Sequence, residues 1–179
     1  ITLIATLGGL LFGYDTAVIS GAEQSVQLYM IDSLGLSSFI HGLTVSSALI
    51  GCIFGGLISG YFSNNFGRKN SLLIAATLFL VSALASAYPE FLFFNVAFNI
   101  YRIIGGIGVG MASAICPTYI GEVAPQEIRG KLVSWYQFAV IFGQLVVYFV
   151  NFGIANGQPS EWVNEIGWRY MFASEAIPA

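Results

Sequence analysis

Apolar stretches on the scale of a lipid bilayer follow one another along the whole chain, divided by short polar or charged segments. A bilayer core takes about 20 helical residues, and five stretches approach or exceed that length while a sixth begins near the end. The predicted spans are residues 1–31, 39–63, 71–88, 93–120, 132–154 and 168–179, the last one truncated. We therefore expect an all-α membrane protein with five transmembrane helices and the start of a sixth.

Composition supports this prediction and excludes other classes of protein. With 56% hydrophobic and 8% charged residues, the chain has too little charge to cover the surface of a soluble globule. Its six basic residues form no patch, so we expect lipid and not nucleic acid as the surrounding partner. The first apolar stretch lacks a basic flank and a cleavage site, and we interpret it as a retained helix and not as a signal peptide.

The distribution of basic residues predicts the orientation. Arg68 and Lys69 lie between spans two and three, and Arg129 and Lys131 lie between spans four and five, whereas the intervening loops contain acids and no Lys or Arg. Lys and Arg are retained on the cytoplasmic side in short loops. The N-terminus is therefore predicted to be cytoplasmic.

Two charged residues within the apolar spans are the main candidates for chemistry. Asp15 lies in the middle of the first span, and Arg102 is the only base away from the ends of the spans that could neutralise it. A lone carboxylate at that depth is costly, so it takes up a proton or faces a cation. Two interpretations are open: a proton-coupling pair, which we favour because intramembrane charges mark transport pathways, and a permanently ionised structural pair.

Amide side chains recur along the fifth span. Gln137, Gln144 and Asn151 are spaced seven residues apart, which is close to two helical turns and places them on one face. Amides both donate and accept hydrogen bonds, as recognition of a neutral polyhydroxyl ligand requires. Sugar binding and plain hydrogen bonding between helices are about equally supported by this pattern.

The predicted cytoplasmic turns carry opposite charges. Arg68 and Arg129 are candidates to pair with Glu122 and to hold a cytoplasmic gate shut. Retention of positive charge on the inner side accounts for the two arginines without any gate, but it leaves Glu122 unexplained.

The sequence does not predict an enzyme, a cofactor or a metal site. It has no pattern of a nucleophile with a base, no paired catalytic carboxylates, and no Cys or His at metal-ligand spacing around Cys52 or Cys116. The glycines at 105–110 match a dinucleotide-binding pattern only superficially, since no strand precedes them and apolar sequence surrounds them.

Five stretches, in order along the chain, resemble the sugar porter family of the major facilitator superfamily. They are G-G-L-L-F-G-Y-D-T-A-V-I-S-G at 8–21, G-x-x-x-x-x-x-G-R-K at 60–69, Y-R-I-I-G-G-I-G-V-G at 101–110, P-T-Y-I-G-E-V-A-P-Q-E-I-R-G at 117–130 and W-R-Y-M-F at 168–172. The resemblance implies the N-terminal half-bundle, residues 1–179, of a twelve-helix transporter. Its partner would be the C-terminal half, which is absent from this sequence.

The resemblance also implies roles for individual residues. Asp15 is similar to the family's proton-coupling aspartate, Arg102 to its arginine partner and Gln137 to a glutamine that binds sugar, while Gln144 and Phe12 would line the same cavity. The implied activity is secondary active transport of a monosaccharide, a xylose-like pentose or a hexose, in symport with a proton across the bacterial inner membrane. No cofactor is implied.

One departure from the superfamily pattern concerns the gate. Asn64 and Asn65 stand where the signature usually has Asp and Arg, so a gate would depend more on Arg68, Glu122 and Arg129. Two alternatives to symport stay open at this point. They are a passive facilitator with the same sugar site and a non-transporting truncated fragment.

Overall fold

The computed structural model describes residues 2–28, 35, 37–87 and 94–177, and the regular secondary structure in that part of the chain is helical. The helices are α1 (Thr2–Val26), α2 (Ser38–Ala87), α3 (Phe94–Val123), α4 (Arg129–Ala155), α5 (Ser160–Trp162) and α6 (Trp168–Ala173). A π-helical segment, Val163–Gly167, joins α5 to α6, and a 3₁₀ turn, Ser174–Ala176, follows α6. The predicted span ends at residues 1, 31, 88, 93 and 179 lie outside the described residues.

Helix α2 consists of two parts that meet at Gly67. The backbone there has φ 80° and ψ 160°, outside the helical region, and glycine adopts such a conformation without the steric cost that a Cβ would add. Residues 38–66 precede this break and residues 68–87 follow it. The predicted turn between spans two and three therefore occurs at a single glycine, where two long helices meet.

Both parts of α2 pack against α3 in opposite directions. In the first part, a Cβ on Gly51 would overlap the carbonyl of Ile103, and a Cβ on Gly55 would overlap the carbonyl of Ile107. The residue numbers of the two partners increase together, so these helices run parallel. In the second part, Ser82 lies against Gly105, whereas Ala75, earlier in α2, lies against Gly108, later in α3. The residue numbers of the partners run in opposite directions, so these helices are antiparallel. The chain thus reverses at Gly67 and places α3 against both parts of α2.

Helices α1 and α4 also approach each other through glycine. A Cβ on Gly13 would overlap the carbonyl of Val140, and a Cβ on Gly143 would overlap the carbonyl of Leu10. Close backbone approach through small residues is a common way for transmembrane helices to associate, because it increases dispersion contact where lipid provides no hydrophobic driving force. Along α1, Gly9 meets Tyr136, Gly13 meets Val140 and Gly21 meets Asn151, so the residue numbers of the partners rise together and α1 and α4 form a second tightly packed parallel pair.

The short helix α6 completes the bundle with an aromatic cluster. Trp168 and Phe172 are fully buried and pack edge-to-face on Phe98 of α3, with ring centroids 6.4 and 5.3 Å away. Tyr14 and Val18 of α1 belong to the same core. This cluster fixes α6 against α1 and α3, and it determines where the residues after α6 lie.

Most of the remaining surface is apolar. Within the part of the chain that the structure describes, three helical stretches are long and apolar enough to cross a membrane: Phe39–Ala87, which contains both parts of α2, Val96–Val123 and Arg129–Ala155. Large apolar side chains such as Leu57 and Phe149 are about 70% exposed, at 75% and 68%. In a soluble protein such exposure would drive aggregation, whereas in a bilayer it faces lipid.

Candidate functional site: a buried cluster of one base and two acids

Asp15, Arg102 and Glu175 form a cluster in the interior of the bundle. The Nη1 atom of Arg102 lies 2.8 Å from Oδ1 of Asp15 and 3.1 Å from Oε1 of Glu175. The three side chains are 3%, 3% and 1% exposed, in the order Asp15, Arg102 and Glu175. Among residues whose side chains are described, these are the only buried charged groups. One nitrogen atom therefore joins two carboxyl groups away from solvent.

Three separate elements bring these groups together. Asp15 projects from the middle of α1, Arg102 from the first half of α3, and Glu175 from the 3₁₀ turn after α6. The guanidinium carbon of Arg102 also lies 5.2 Å from the ring centre of Phe172, at cation–π distance. Because Phe172 is held by Phe98, the aromatic core and the charged cluster position the same segment of chain.

The charges of the cluster do not balance when both acids are ionised. Two carboxylates and one guanidinium sum to a charge of −1, and an uncompensated buried charge is strongly destabilising. One added proton, on Asp15 or Glu175, makes the cluster neutral. The site can therefore exist in two charge states that differ by a single proton.

Sequence analysis missed Glu175, and a signal for it was present. The residue stands within the apolar run that follows Trp168, and an acid in a membrane span is by default a functional candidate. The sequence alone did not indicate that Glu175 meets Arg102, because the position of α6 against α1 and α3 depends on tertiary packing. Only the fold shows that Glu175 shares the guanidinium of Arg102 with Asp15.

The predicted amide stripe of α4 divides between two surroundings. Asn151 is buried and donates a hydrogen bond to the carbonyl of Val18 at 3.2 Å, which is a contact between helices. Gln144 is half-buried, and Gln137 is exposed. The stripe drifts by about 20° for every seven residues, and this drift carries Asn151 towards α1 while Gln137 stays at the edge of the buried face.

Phe12 of α1 lies beside a core cluster to which α4 contributes. It is half-buried and packs at the border of a core cluster that includes Met111 and Tyr136. Phe12 and Gln144 each stand next in sequence to a glycine of the α1–α4 contact, Gly13 and Gly143.

The predicted gate residues form one ion pair. Arg68 contacts Glu122 through both carboxylate oxygens, at 2.7 Å from Nη2 and 3.2 Å from Nε, and it also donates to the hydroxyl of Ser63. This pair ties the break in α2 to the end of α3. Arg129 is outside the pair: its guanidinium lies 3.4 Å from the carbonyl oxygen of Ala124, and the described residues provide no ion-pair partner for it.

Comparison with known proteins then decides the family. The sequence profile of the family described as "Sugar (and other) transporter" matches residues 1–179. The chain belongs to this transporter family. It is 55% identical over 198 residues to the D-xylose-proton symporter of Escherichia coli strain K12, a match that covers 100% of the chain and 40% of the symporter. It is 45% identical over 179 residues to the arabinose-proton symporter of Bacillus subtilis strain 168, with 100% and 37% covered.

A solved structure confirms the fold class. The major facilitator superfamily proton:xylose symporter XylE, bound to 6-bromo-6-deoxy-D-glucose, superposes with a TM-score of 0.95 at 55% identity, over 99% of this chain and 41% of that chain. The prediction of an all-α N-terminal bundle of the major facilitator type is confirmed. The chain spans well under half the length of each of these relatives.

Proposed function

We propose that this chain is the N-terminal half of a monosaccharide–proton symporter. The observation that carries the proposal is the buried cluster in which Arg102 is shared by Asp15 and Glu175. A purely structural ion pair needs one acid for one base. The second acid leaves room for one exchangeable proton, which is the property that a proton-coupled transporter requires.

The same cluster links protonation to conformational change. Because its three members come from α1, α3 and the segment after α6, neutralising one acid weakens a contact between elements and not within one. Protonation of Asp15 would loosen its 2.8 Å contact with Arg102 and leave Glu175 as the remaining counter-ion. The two half-bundles could then rearrange around the sugar site, as alternating access demands.

Gln137, Gln144 and Phe12 are the proposed sugar contacts of this half. The amide of Gln137 is exposed on an apolar helix, and its hydrogen bonds are best made to water in a cavity or to a partner. Amides can both donate hydrogen bonds to sugar hydroxyl groups and accept them. The ring of Phe12 offers an apolar surface for the C–H face of a sugar. The xylose, arabinose and bromodeoxyglucose named for the relatives support a pentose or a hexose as substrate.

The C-terminal half of the same transporter is the proposed partner, and the lipid bilayer of the bacterial inner membrane is the proposed surroundings. Cytoplasmic placement of the N-terminus is supported by Arg68, Lys69, Arg129 and Lys131, which lie at helix ends beside the turns predicted for the inner side. The Arg68–Glu122 ion pair would then stand on the cytoplasmic side, where it supports closure in outward-facing states. Arg129 would contribute to the same side through positive charge.

Uptake measurements test this proposal. We would express the protein from its full reading frame in vesicles and follow labelled D-xylose and D-glucose with and without an imposed pH gradient. Accumulation above the outside concentration that needs the gradient is expected for the wild type. The Asp15→Asn variant should lose accumulation and retain exchange of sugar across the membrane.

The matched control is Glu23→Gln, because Glu23 is an exposed acid on the same helix. This variant should accumulate sugar like the wild type. Saturable uptake that ignores the gradient in every variant would identify a passive facilitator, and absence of uptake in every variant would favour a protein that does not transport sugar.

A further inference from the structure

A hydrogen bond between two hydroxyl groups lies beside the charged cluster and has no role in the proposed function so far. The Tyr14 hydroxyl lies 2.8 Å from Oγ of Ser174. Tyr14 is 3% exposed and Ser174 is 8% exposed. Each of these residues directly precedes one of the two acids, Asp15 and Glu175. Helix α1 and the 3₁₀ turn are thus linked directly by the Tyr14–Ser174 hydrogen bond and, one residue further on, through the shared guanidinium of Arg102.

The direction of this hydrogen bond follows from the partners of Ser174. Its hydroxyl lies 2.6 Å from the carbonyl oxygen of Met171, which can only accept. A serine hydroxyl has one proton, so that proton is used in the bond to Met171. Tyr14 must therefore be the donor, and Ser174 accepts from α1 while it donates to its own chain.

The position of Ser174 makes this bond relevant to Glu175. Ser174 is the first residue of the 3₁₀ turn, where the helix tightens from 3.6 to 3.0 residues per turn. This change of pitch alters the direction in which the next side chain points. Its bond to the carbonyl three residues earlier, at Met171, belongs to the same tightened turn.

We propose that Tyr14 and Ser174 are positioning residues that hold Glu175 beside Arg102, so that both acids compete for one guanidinium. The inference rests on the proposed function, because it assigns a way of setting the proton affinity of that same cluster. Without the Tyr14 hydroxyl, the 3₁₀ turn loses its direct hydrogen bond to α1, and the contact with Arg102 and the aromatic cluster of α6 are left to hold it. Glu175 then spends part of its time away from Arg102, and Arg102 attracts Asp15 alone.

The groups that face the cluster come from each packed element. They are Tyr14 and Asp15 from α1, the thiol of Cys52 from α2, Arg102 from α3, and Glu175 itself. Arg102 supplies the positive charge among them. A loss of contact between Glu175 and Arg102 therefore leaves Arg102 paired with Asp15 alone, so the pH profile of proton-coupled uptake should shift towards acid.

The test is the pH profile of gradient-driven D-xylose uptake by the full-length protein carrying Tyr14→Phe or Ser174→Ala. Phenylalanine keeps the buried ring and removes only the hydroxyl. The pH of half-maximal uptake should fall by about half to one unit, the worth of one net hydrogen bond in pH units. The double variant should match Ser174→Ala, because Ser174→Ala already removes the hydrogen bond to Tyr14 together with the one to Met171.

Controls separate positioning from general loss of a buried hydroxyl. Tyr136→Phe and Ser86→Ala each remove a buried hydroxyl outside the cluster, and both should keep the wild-type pH profile. Sugar exchange at equal pH should change less than about twofold in Tyr14→Phe, an effect within the size of one net hydrogen bond. If Tyr14→Phe fails to accumulate in the membrane, Ser174→Ala carries the test.

The outcomes distinguish this inference from the proposed function. Wild-type uptake that is independent of the gradient would overturn both. Gradient-driven wild-type uptake, together with an unchanged pH profile in Tyr14→Phe and Ser174→Ala, would overturn the positioning role alone. Equal shifts in the control variants would also overturn it, because the effect would then be general.

Discussion

Replacement of Arg102 by leucine should destabilise the protein because it leaves two acids without a counter-ion. In the wild type, Nη1 of Arg102 contacts Asp15 at 2.8 Å and Glu175 at 3.1 Å, and all three side chains are at most 3% exposed. Removing one partner of a buried ion pair costs about 3–5 kcal/mol. The free energy of unfolding at neutral pH should fall by about the same amount, and the melting temperature should fall with it.

Thermal unfolding in detergent, measured for the full-length protein between acidic and alkaline pH, gives the assay. The cost arises from ionised carboxyl groups, so it should be greatest at alkaline pH and should shrink as acid protonates them. Adding Asp15→Asn or Glu175→Gln to Arg102→Leu should recover part of the loss, and adding both should recover most of it. Lys69→Gln, which removes an exposed base, should change stability by less than about 0.5 kcal/mol.

Two results would refute this reasoning. A free energy of unfolding of Arg102→Leu within about 1 kcal/mol of the wild type at neutral pH would mean that the buried charges contribute far less than a buried ion pair should. A loss that neither acidification nor neutralisation of the acids relieves would mean that Arg102 acts through packing on Phe172 and not through charge.

Three further predictions concern the helix contacts, the sugar site and the gate. Gly13→Val should destabilise the protein in thermal unfolding, by about 1–3 kcal/mol from overpacking, because the added side chain meets the backbone of α4; Gly56→Ala, where a Cβ meets nothing within 4 Å, should be tolerated. Gln137→Ala should raise the KM for D-xylose by about tenfold, the worth of one hydrogen bond left unmade, with gradient dependence retained; an unchanged KM would remove Gln137 from the site. Arg68→Glu and Glu122→Arg should each alter uptake kinetics, and the double swap should restore them, although the partly exposed pair contributes under about 1 kcal/mol to stability.

Much of the fold could be predicted because the bilayer restricts the possible structures. Long apolar stretches can satisfy their backbone hydrogen bonds there only as helices or closed barrels, and a turn as short as the one at Gly67 is marked by glycine and basic residues. The scarcity of charge made Asp15 and Arg102 conspicuous, and the structure brings them into contact. In a soluble protein the same two residues would have been lost among surface charges.

The parts that could not be predicted depend on how helices rotate against one another. Glu175 joins the cluster only because the aromatic residues of α6 fix its position. Helix α2 has two neighbouring rows of small residues at four-residue spacing, and the sequence does not show which row meets another helix. Gly51 and Gly55 of one row meet α3, whereas Gly56 and Gly60 of the other row have nothing within 4 Å of an added Cβ.

Spacing could not separate the gate residues either. Arg68 and Arg129 both lie near Glu122 in the predicted topology, and only Arg68 pairs with it. Both arginines have long side chains at helix ends, so the choice of partner depends on side-chain geometry that a linear pattern does not contain.

In the proposed mechanism, Asp15 within the Arg102–Glu175 cluster binds the proton that moves with the sugar. The most direct test is the sugar-induced change of pH outside de-energised vesicles that contain the full-length wild type or Asp15→Asn. We predict alkalinisation of the medium on addition of D-xylose with the wild type and none with Asp15→Asn, while labelled D-xylose still exchanges in both. Alkalinisation of equal size with Asp15→Asn would contradict the account.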